Sequence, residues 1–570
     1  MKTLTLLLIV CAISCPGAEQ ASSVTCRADN KNDHTRALQS ALDSRAARVI
    51  IPYKATPWIS GPLFLRSNQE IILEKGAILQ AKDDAFYEVN SKFLNLNQIE
   101  NVTIRGDSAS IRMNRGRYIL PPFQWSEFRH IIDIKGGKNI QIIGLSLTDA
   151  GGDAICISGG PEQRYAENIL LKDLKCQRNF HQGLSVISAK NLTVENCLFA
   201  ESGGTPPAAG IYLNPGNDSD RLENIVFQNC RMKNNNGEGF LIYAPNLSEY
   251  AVPFSIKMQD CVIDGSWQSG FGIGGISWDG PDGTFDIINC AIKNTVGPGI
   301  YVREKSSTRL KTRFFHCTLT NTALGTKQPW PDNPWTPKES YWLTKENLNA
   351  PIVIASGRPH LGQYVGYVDF IDCIVHQNRT RPAVILFDIK NKNYAERIKG
   401  TIKLFDAKRP YLEGMEGCYD VNLKFVNADN KQIGSRFILG MRQTYTPLEI
   451  KTEVLSRHSG EYYALQKGKI TYNAILTPKL KAPQYRLAFR YKTPLNFRGQ
   501  MLLRAPGAAL LLKATNDRWK NVALHGVELS KSGESEGKVP INISALNSDQ
   551  ILRVGIKNWQ LAAERNILDQ

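Results

Sequence analysis

Between residues 170 and 380 apolar and polar positions alternate in short runs that keep returning in one form. "NLTVENCLFAESGGTPPAAGIYL" is followed by "NIVFQNCRMKNNNGEGFLIY", then by "FSIKMQDCVIDGSWQSGFGI" and "FDIINCAIKNTVGPGIYV". Each unit holds an alternating run ending at a cysteine, a polar turn, a glycine, and a second short alternating run. A period of two predicts strands, and no unit keeps a helical period. From Cys176 through Cys197, Cys230, Cys261 and Cys290 to Cys317 the steps are 21, 33, 31, 29 and 27 residues, with 56 more to Cys373. Repeats on this scale mark a solenoid, in which no unit buries its apolar face alone but stacked coils share a core. The pattern predicts an all-β parallel β-helix, with the cysteines as one column of small, buried, reduced side chains.

The flanking regions read differently. "DHTRALQSALDSRAARVIIP" predicts a short helix from Thr35 to Asp43 and a strand to Pro52, followed by alternating strands in "GPLFLRSNQEIILEKGAILQA". With the repeats, this stretch resembles the pectate lyase and polygalacturonase superfamily of right-handed parallel β-helices over residues 26 to 400. The expected organisation is a signal peptide at 1–22, the right-handed parallel β-helix at 26–430 and a β-sandwich at 440–570. Beyond 440 the strands change spacing, and the closing "ILRVGIKNWQLAAE" resembles the last strand of jelly-roll, carbohydrate-binding-like domains. Trp519 and Trp559 there read as core or as sugar contacts. A Pro-rich insertion with Trp330, Trp335 and Trp342 breaks the period and reads either as a groove wall or as a pinned loop.

The first residues, "MKTLTLLLIVCAISCPGAEQ", carry one lysine and an apolar run too short to span a bilayer, a signal pattern. The expectation is a secreted or periplasmic protein with no transmembrane segment, with a lipid anchor at Cys15 left open by "AISC". Sixty-nine Lys and Arg against 53 Asp and Glu give a net charge of +16. In an exported chain without a nucleic-acid motif, that charge points to an anionic polysaccharide partner rather than to nucleic acid. No CxxC or HxxxH pair lies outside the signal segment, so no metal and no cofactor is expected. "GFGIGG" fits G-x-G-x-x-G, but no helix follows to receive a phosphate.

Aligned on their apolar positions, the strands after each glycine read "HIIDIK", "DAICIS", "QGLSVI", "AGIYLN", "EGFLIY" and "PGIYVR". The alternate positions point out of the coil, presenting Asp133, Lys135, Tyr212, Asn214, Tyr243, Tyr301 and Arg303. Tested against the resemblance, the paired-aspartate strand of polygalacturonases matches "GGDAICI" only at Asp153. Their Gly-His-Gly strand matches "HQGLSV" with Gln182 in the histidine column and His181 one residue early. The chain also resembles a broad bacterial β-helix group through "SEFRH", "GGDAI", "HQGLSVIS" and "GTPPAAGIYLNPG". That group tends to place acids where this chain has Tyr212 and Asn214. The remaining cluster is Glu127, Arg129, His130, Asp133, Asp149, Asp153 and His181, with Glu127 and Arg129 expected as a structural pair.

Three functions stay open on these residues. A glycoside hydrolase needs an acid and a base or nucleophile, which Asp133, Asp149 and Asp153 can supply. A lyase on an acidic glycan needs a base and a cation for the uronate, for which His130 or His181 with Arg129 or Lys135 would serve. A glycan-binding protein without catalysis would use the same face, with Gln182, Tyr212, Asn214, Tyr243, Tyr301 and Arg303 as contacts.

Overall fold

A computed structural model describes residues 22–435 apart from 30–31, 277–279, 308, 326–349, 357–364, 377–381, 389–394, 407–411 and 415–420, and beyond 435 its strands alone. The expected signal segment with Cys15, the Trp330–Trp342 insertion and the side chains of Trp519 and Trp559 lie outside the described residues. Two compact units are formed, the first by Met1–Pro215, Ser219–Phe240 and Pro329–Pro337, the second by Gly216–Asp218, Leu241–Gln328 and Lys338–Gln570.

In the first unit the predicted cap helix spans Thr35–Asp43 and buries Leu38, Ala41 and Leu42. Asp33 accepts the Thr35 amide at 2.9 Å and its hydroxyl at 2.6 Å, satisfying donors that the first helical turn leaves open. After it the chain winds in parallel coils held in register. Ile140, Ile169, Leu192 and Ile225 pair in succession, so each buried side chain stacks on one of its own kind a coil away. The groove-facing sheet runs through Leu63–Phe64, Leu94–Asn97, Ile132–Lys135, Ile155–Ser158, Leu184–Val186 and Ile211–Leu213. Leu94, Ile132, Ile155, Leu184 and Ile211 pair directly, which is the register the apolar alignment predicts. Ile132 and Ile134 are fully buried while Lys135 is exposed, so the alternation sets the faces as expected.

The second unit repeats this arrangement. Its Phe271–Ile276, Ile300–Lys305, Ile352–Ser356, Val384–Asp388 and Leu412–Gly414 strands pair in parallel order. "GFGIGG" forms the first of them, with Gly272 opposite Tyr301 and Gly274 opposite Arg303. A Cβ at Gly274 would lie 2.4 Å from the Arg303 carbonyl oxygen, so close packing, not phosphate binding, requires the glycine. Beyond 435 the strands pair in two antiparallel sheets: Lys469–Leu476, Gly537–Leu546, Gln500–Ala505 and Ala508–Lys513 in one, with Gln484–Lys492, Lys520–Val527 and Arg553–Glu564 in the other.

The cysteine column has a local cause. Asn196, Asn229, Asp260, Asn289, His316 and Asp372, each just before a cysteine, all have φ between 50° and 56°. Asn and Asp tolerate this left-handed conformation better than other side-chain-bearing residues. The bend turns the next residue inward, where the small cysteine side chain fits; Leu174, which follows Asp173 at φ 55°, fills the same corner one coil before Cys197. In the first unit Cys197 stacks on Cys230; in the second, Cys261, Cys290, Cys317 and Cys373 follow in order. All are buried and free. Cys176 corrects the expectation: it pairs with Phe199 rather than lying beside Cys197, so it belongs to a neighbouring column. A second row was not anticipated. Asn68, Asn101, Asn139, Asn168, Asn191 and Asn224 pass side-chain amide hydrogen bonds of 2.8–2.9 Å from coil to coil along an exposed edge.

Candidate active site

The site begins at the corner that precedes the groove strands of the first unit. There, side chains on successive coils accept the backbone N–H of the next coil. His130 Nδ1 accepts the Asp153 amide at 2.9 Å, Asp153 Oδ1 accepts the Gln182 amide at 2.9 Å, and Gln182 Oε1 accepts the Ala209 amide at 2.5 Å. Corner amides cannot join the sheet ladder, and burial without a partner would cost about 1–3 kcal/mol each. At these three corners an acceptor side chain meets that need, although Lys92 one coil earlier and Ala209 one coil later show that the position does not demand one on every coil.

That role puts His130 and Asp153 into the interior, and their neighbours decide their chemistry. His130 is completely desolvated and its pKa falls to about 4 despite the nearby Asp153 charge. With Nδ1 accepting an amide proton, its ring is neutral and carries hydrogen on Nε2. Burial alone would raise the Asp153 carboxyl, but the neighbouring imidazoles and hydrogen bonds from His181 and Ser185 outweigh it and hold the group below the usual carboxylate range. His181 Nδ1 lies 2.8 Å from Asp153 Oδ1. Burial lowers the His181 pKa, while the Asp153 and Glu127 charges and the Pro206 carbonyl raise it, with a net rise. Its Nε2 is 4.0 Å from Glu127 Oε2, and that oxygen also accepts the Thr205 hydroxyl at 3.2 Å. Glu127, Asp153 and His181 thus form one charged chain running from half-exposed to buried.

Asp133 lies on the adjacent strand, facing out of the coil between Asn95 and Cys156. Burial raises its pKa, with Lys92 and Lys135 opposing and Asp153 assisting. Lys92 is itself partly buried, which lowers its pKa. Among the described residues His130, Asp153 and Cys156 place ligand atoms within 4.8 Å of one another. The His130 lone pair is already used by an amide, and burial pushes the Cys156 thiol up so that it stays protonated. This set does not fit a metal ion without breaking the corner.

Other expected site residues are engaged elsewhere. Asp149 sits in a left-handed turn at φ 60° and holds Arg178 through two hydrogen bonds of 3.0 and 2.9 Å, so it is a turn residue rather than a third catalytic carboxylate. Arg129 is fully buried between the rings of Tyr118 and Phe123 and donates to the Phe86 and Tyr87 carbonyls, so it meets neither Glu127 nor a ligand in the groove. Gln182 is fully buried as a corner tie. Lys135, Tyr212 and Asn214 remain on the outward face of the first unit, Lys135 exposed and the other two half-buried. In the second unit Arg303 lies over the rings of Tyr243 and Tyr301, at 5.1 and 5.9 Å, and Tyr301 packs with Ala350, Val353 and Ala355. Glu127 is the site residue that sequence reasoning undervalued. Its position three residues before His130 in "SEFRH" was the available signal.

Comparison with known proteins agrees with this architecture. The family described as "Right handed beta helix region" matches residues 89–246, which enclose Lys92, Glu127, Asp133, Asp153 and His181. The SPbeta prophage-derived uncharacterized protein YorA of Bacillus subtilis (strain 168) is 25% identical over 194 residues, 31% of this chain and 33% of that protein. The uncharacterized protein YclG of the same strain is 24% identical over 221 residues, 35% of this chain and 37% of its own length. The match therefore spans little more than a third of either relative. Among solved structures, a family 28 exopolygalacturonase of Yersinia enterocolitica superposes with a TM-score of 0.40 at 13% identity, covering 70% of this chain and 79% of that one. Parallel coils in register across the matched stretch, and again before and after it in sequence, give this chain the right-handed parallel β-helix fold.

Proposed function

We propose that the protein hydrolyses a polysaccharide, with Asp133 as general acid and Glu127 with the His181–Asp153 pair on the base side. The observation that carries this reading is the opposed behaviour of two carboxylates on neighbouring strands: Asp133 is raised and Asp153 is lowered. Environments that push paired groups apart assign one to give a proton and the other to stay charged. Asp133 faces the groove and can protonate a glycosidic oxygen. Asp153 orients His181 and favours its charged form, and Glu127, the more accessible of the two carboxylates beside His181, can take a proton from water. The net charge of +16 favours an anionic polymer as substrate.

The test is a panel of uronate-containing, sulfated and neutral polysaccharides with wild type and Asp133→Asn. New reducing ends formed by wild type and lost in the variant support hydrolysis. Equal activity in both overturns it. A second reading has one observation in its favour: burial lowers the pKa of Lys92, which stands beside Asp133 at the groove. Products with unsaturated ends would shift the assignment to a lyase.

A further inference from the structure

Large apolar side chains left in water are unevenly placed in this protein. Among the described residues they are Tyr53, Phe64, Tyr87, Leu120, Trp125, Phe128 and Tyr250. Four of them, Tyr87, Leu120, Trp125 and Phe128, lie on the two excursions that also deliver Lys92 and Glu127 to the site. Single exposed apolar residues are ordinary, but a group of them beside polar functional residues marks a binding surface.

The segment carrying them is braced rather than loose. Ser126 Oγ donates to the Val89 carbonyl and accepts the Phe128 amide at 3.0 Å. Lys92 Nζ donates to the Phe128 carbonyl at 2.5 Å, and the buried Arg129 ties the next residue to Phe86 at 2.8 Å. Phe123 stacks on Tyr87 at 4.9 Å and 14°. These contacts hold the Phe128 ring 46% exposed, edge-on to His130 at 6.5 Å and with the Lys92 ammonium 5.8 Å from its centre. A fixed ring of this kind loses little freedom when it receives a flat apolar surface, and a cation beside it suits a ligand bearing an acid.

We infer that Phe128, with Trp125 and Lys92, forms a subsite for one acidic pyranose ring of the glycan, whose C–H face stacks on Phe128 while its carboxylate meets the Lys92 ammonium. The inference rests on the reading of the adjoining cluster as a glycan-cleaving site, and it names the sugar class that the site takes. Lys92 also explains how an acidic sugar is tolerated beside Asp133: the ammonium offsets the carboxyl's charge where the two approach.

Binding is measured on the full chain by calorimetry and by Trp fluorescence, with oligogalacturonates and oligoglucuronates as acidic probes and cello-oligosaccharides of equal length as neutral ones. Phe128→Ala is expected to weaken the acidic probes about tenfold or more with an unchanged melting temperature. Lys92→Met is expected to remove the preference for acidic over neutral probes. Wild-type affinity in Phe128→Ala overturns the platform, and an intact acidic preference in Lys92→Met overturns the charge assignment. Absence of binding by wild type to every probe overturns the subsite outright. Asp133→Asn separates the two readings: if it cleaves like wild type, the hydrolase assignment falls while the subsite still stands or falls on the binding of Phe128→Ala.

Discussion

The groove strands of the two units share a backbone plan and differ in what they put on its outer face. In the first unit the outward column reads Asn95, Asp133, Cys156, Ser185 and Tyr212. In the second it reads Gly272, Tyr301 and Val353, with Tyr301 and Val353 nearly or fully buried. Pairing and inner packing are the same in kind, so the coil does not choose between them. Both rows are largely buried, but one is polar and flanked by excursions carrying Glu127 and Lys92, while the other is glycine, tyrosine and valine. The polar side chains that could carry chemistry are a local property of one row, not of the fold.

Several substitutions test that contrast. Asp133→Asn should reduce cleavage by roughly 10²–10⁴-fold, the usual contribution of a positioned proton donor, with little change in thermal unfolding. Asp153→Asn keeps an oxygen for the Gln182 amide but removes the charge that raises His181. Its activity should fall by about 10²-fold, and the basic limb of the pH–rate profile should move to lower pH; a limb that stays in place would free His181 from that role.

His130 offers a stability test with a defined sign. Its folded pKa is about 4, below the ordinary value of 6.5, so the unfolded chain binds the proton more readily. The contribution is fully present above the unfolded value and is lost as pH falls from about 6.5 to about 4, an effect on the order of 3 kcal/mol. His130→Asn places an acceptor where Nδ1 stood and does not titrate. Urea unfolding between pH 7 and 4 should therefore show a flatter dependence in the variant, and an unchanged slope would count against the neutral, amide-bound ring.

The smallest effect is expected in the other unit. Tyr301→Phe should leave cleavage unchanged and cost about 1 kcal/mol or less, as for one hydrogen-bonding group. A large loss of activity there would break the contrast between the rows.

The periodic part of this architecture was legible because stacking demands it. Apolar columns, glycines and the cysteine setting repeat with each coil, so aligning them gave the strand register residue by residue. Cys176 shows the limit: its step of 21 residues to Cys197 departs from the others, and it stands one column over. What sequence could not supply was the partner of each polar side chain at a corner. Asp149 and Asp153 stand four residues apart in one motif, yet one faces Arg178 and the other faces His181. Arg129 and Glu127 are two residues apart and belong to different neighbourhoods. Such pairings join residues 28 to 78 positions apart, where no local pattern reports the contact.

The corner row of His130, Asp153 and Gln182 has one more consequence. On these three coils the backbone amide takes up a lone pair, offered in turn by an imidazole, a carboxylate and an amide. Reactivity and folding therefore make separate demands on the same position. The corner holds three chemically different acceptors on three successive coils, so the acid–base character of the groove is set one coil at a time on a constant scaffold.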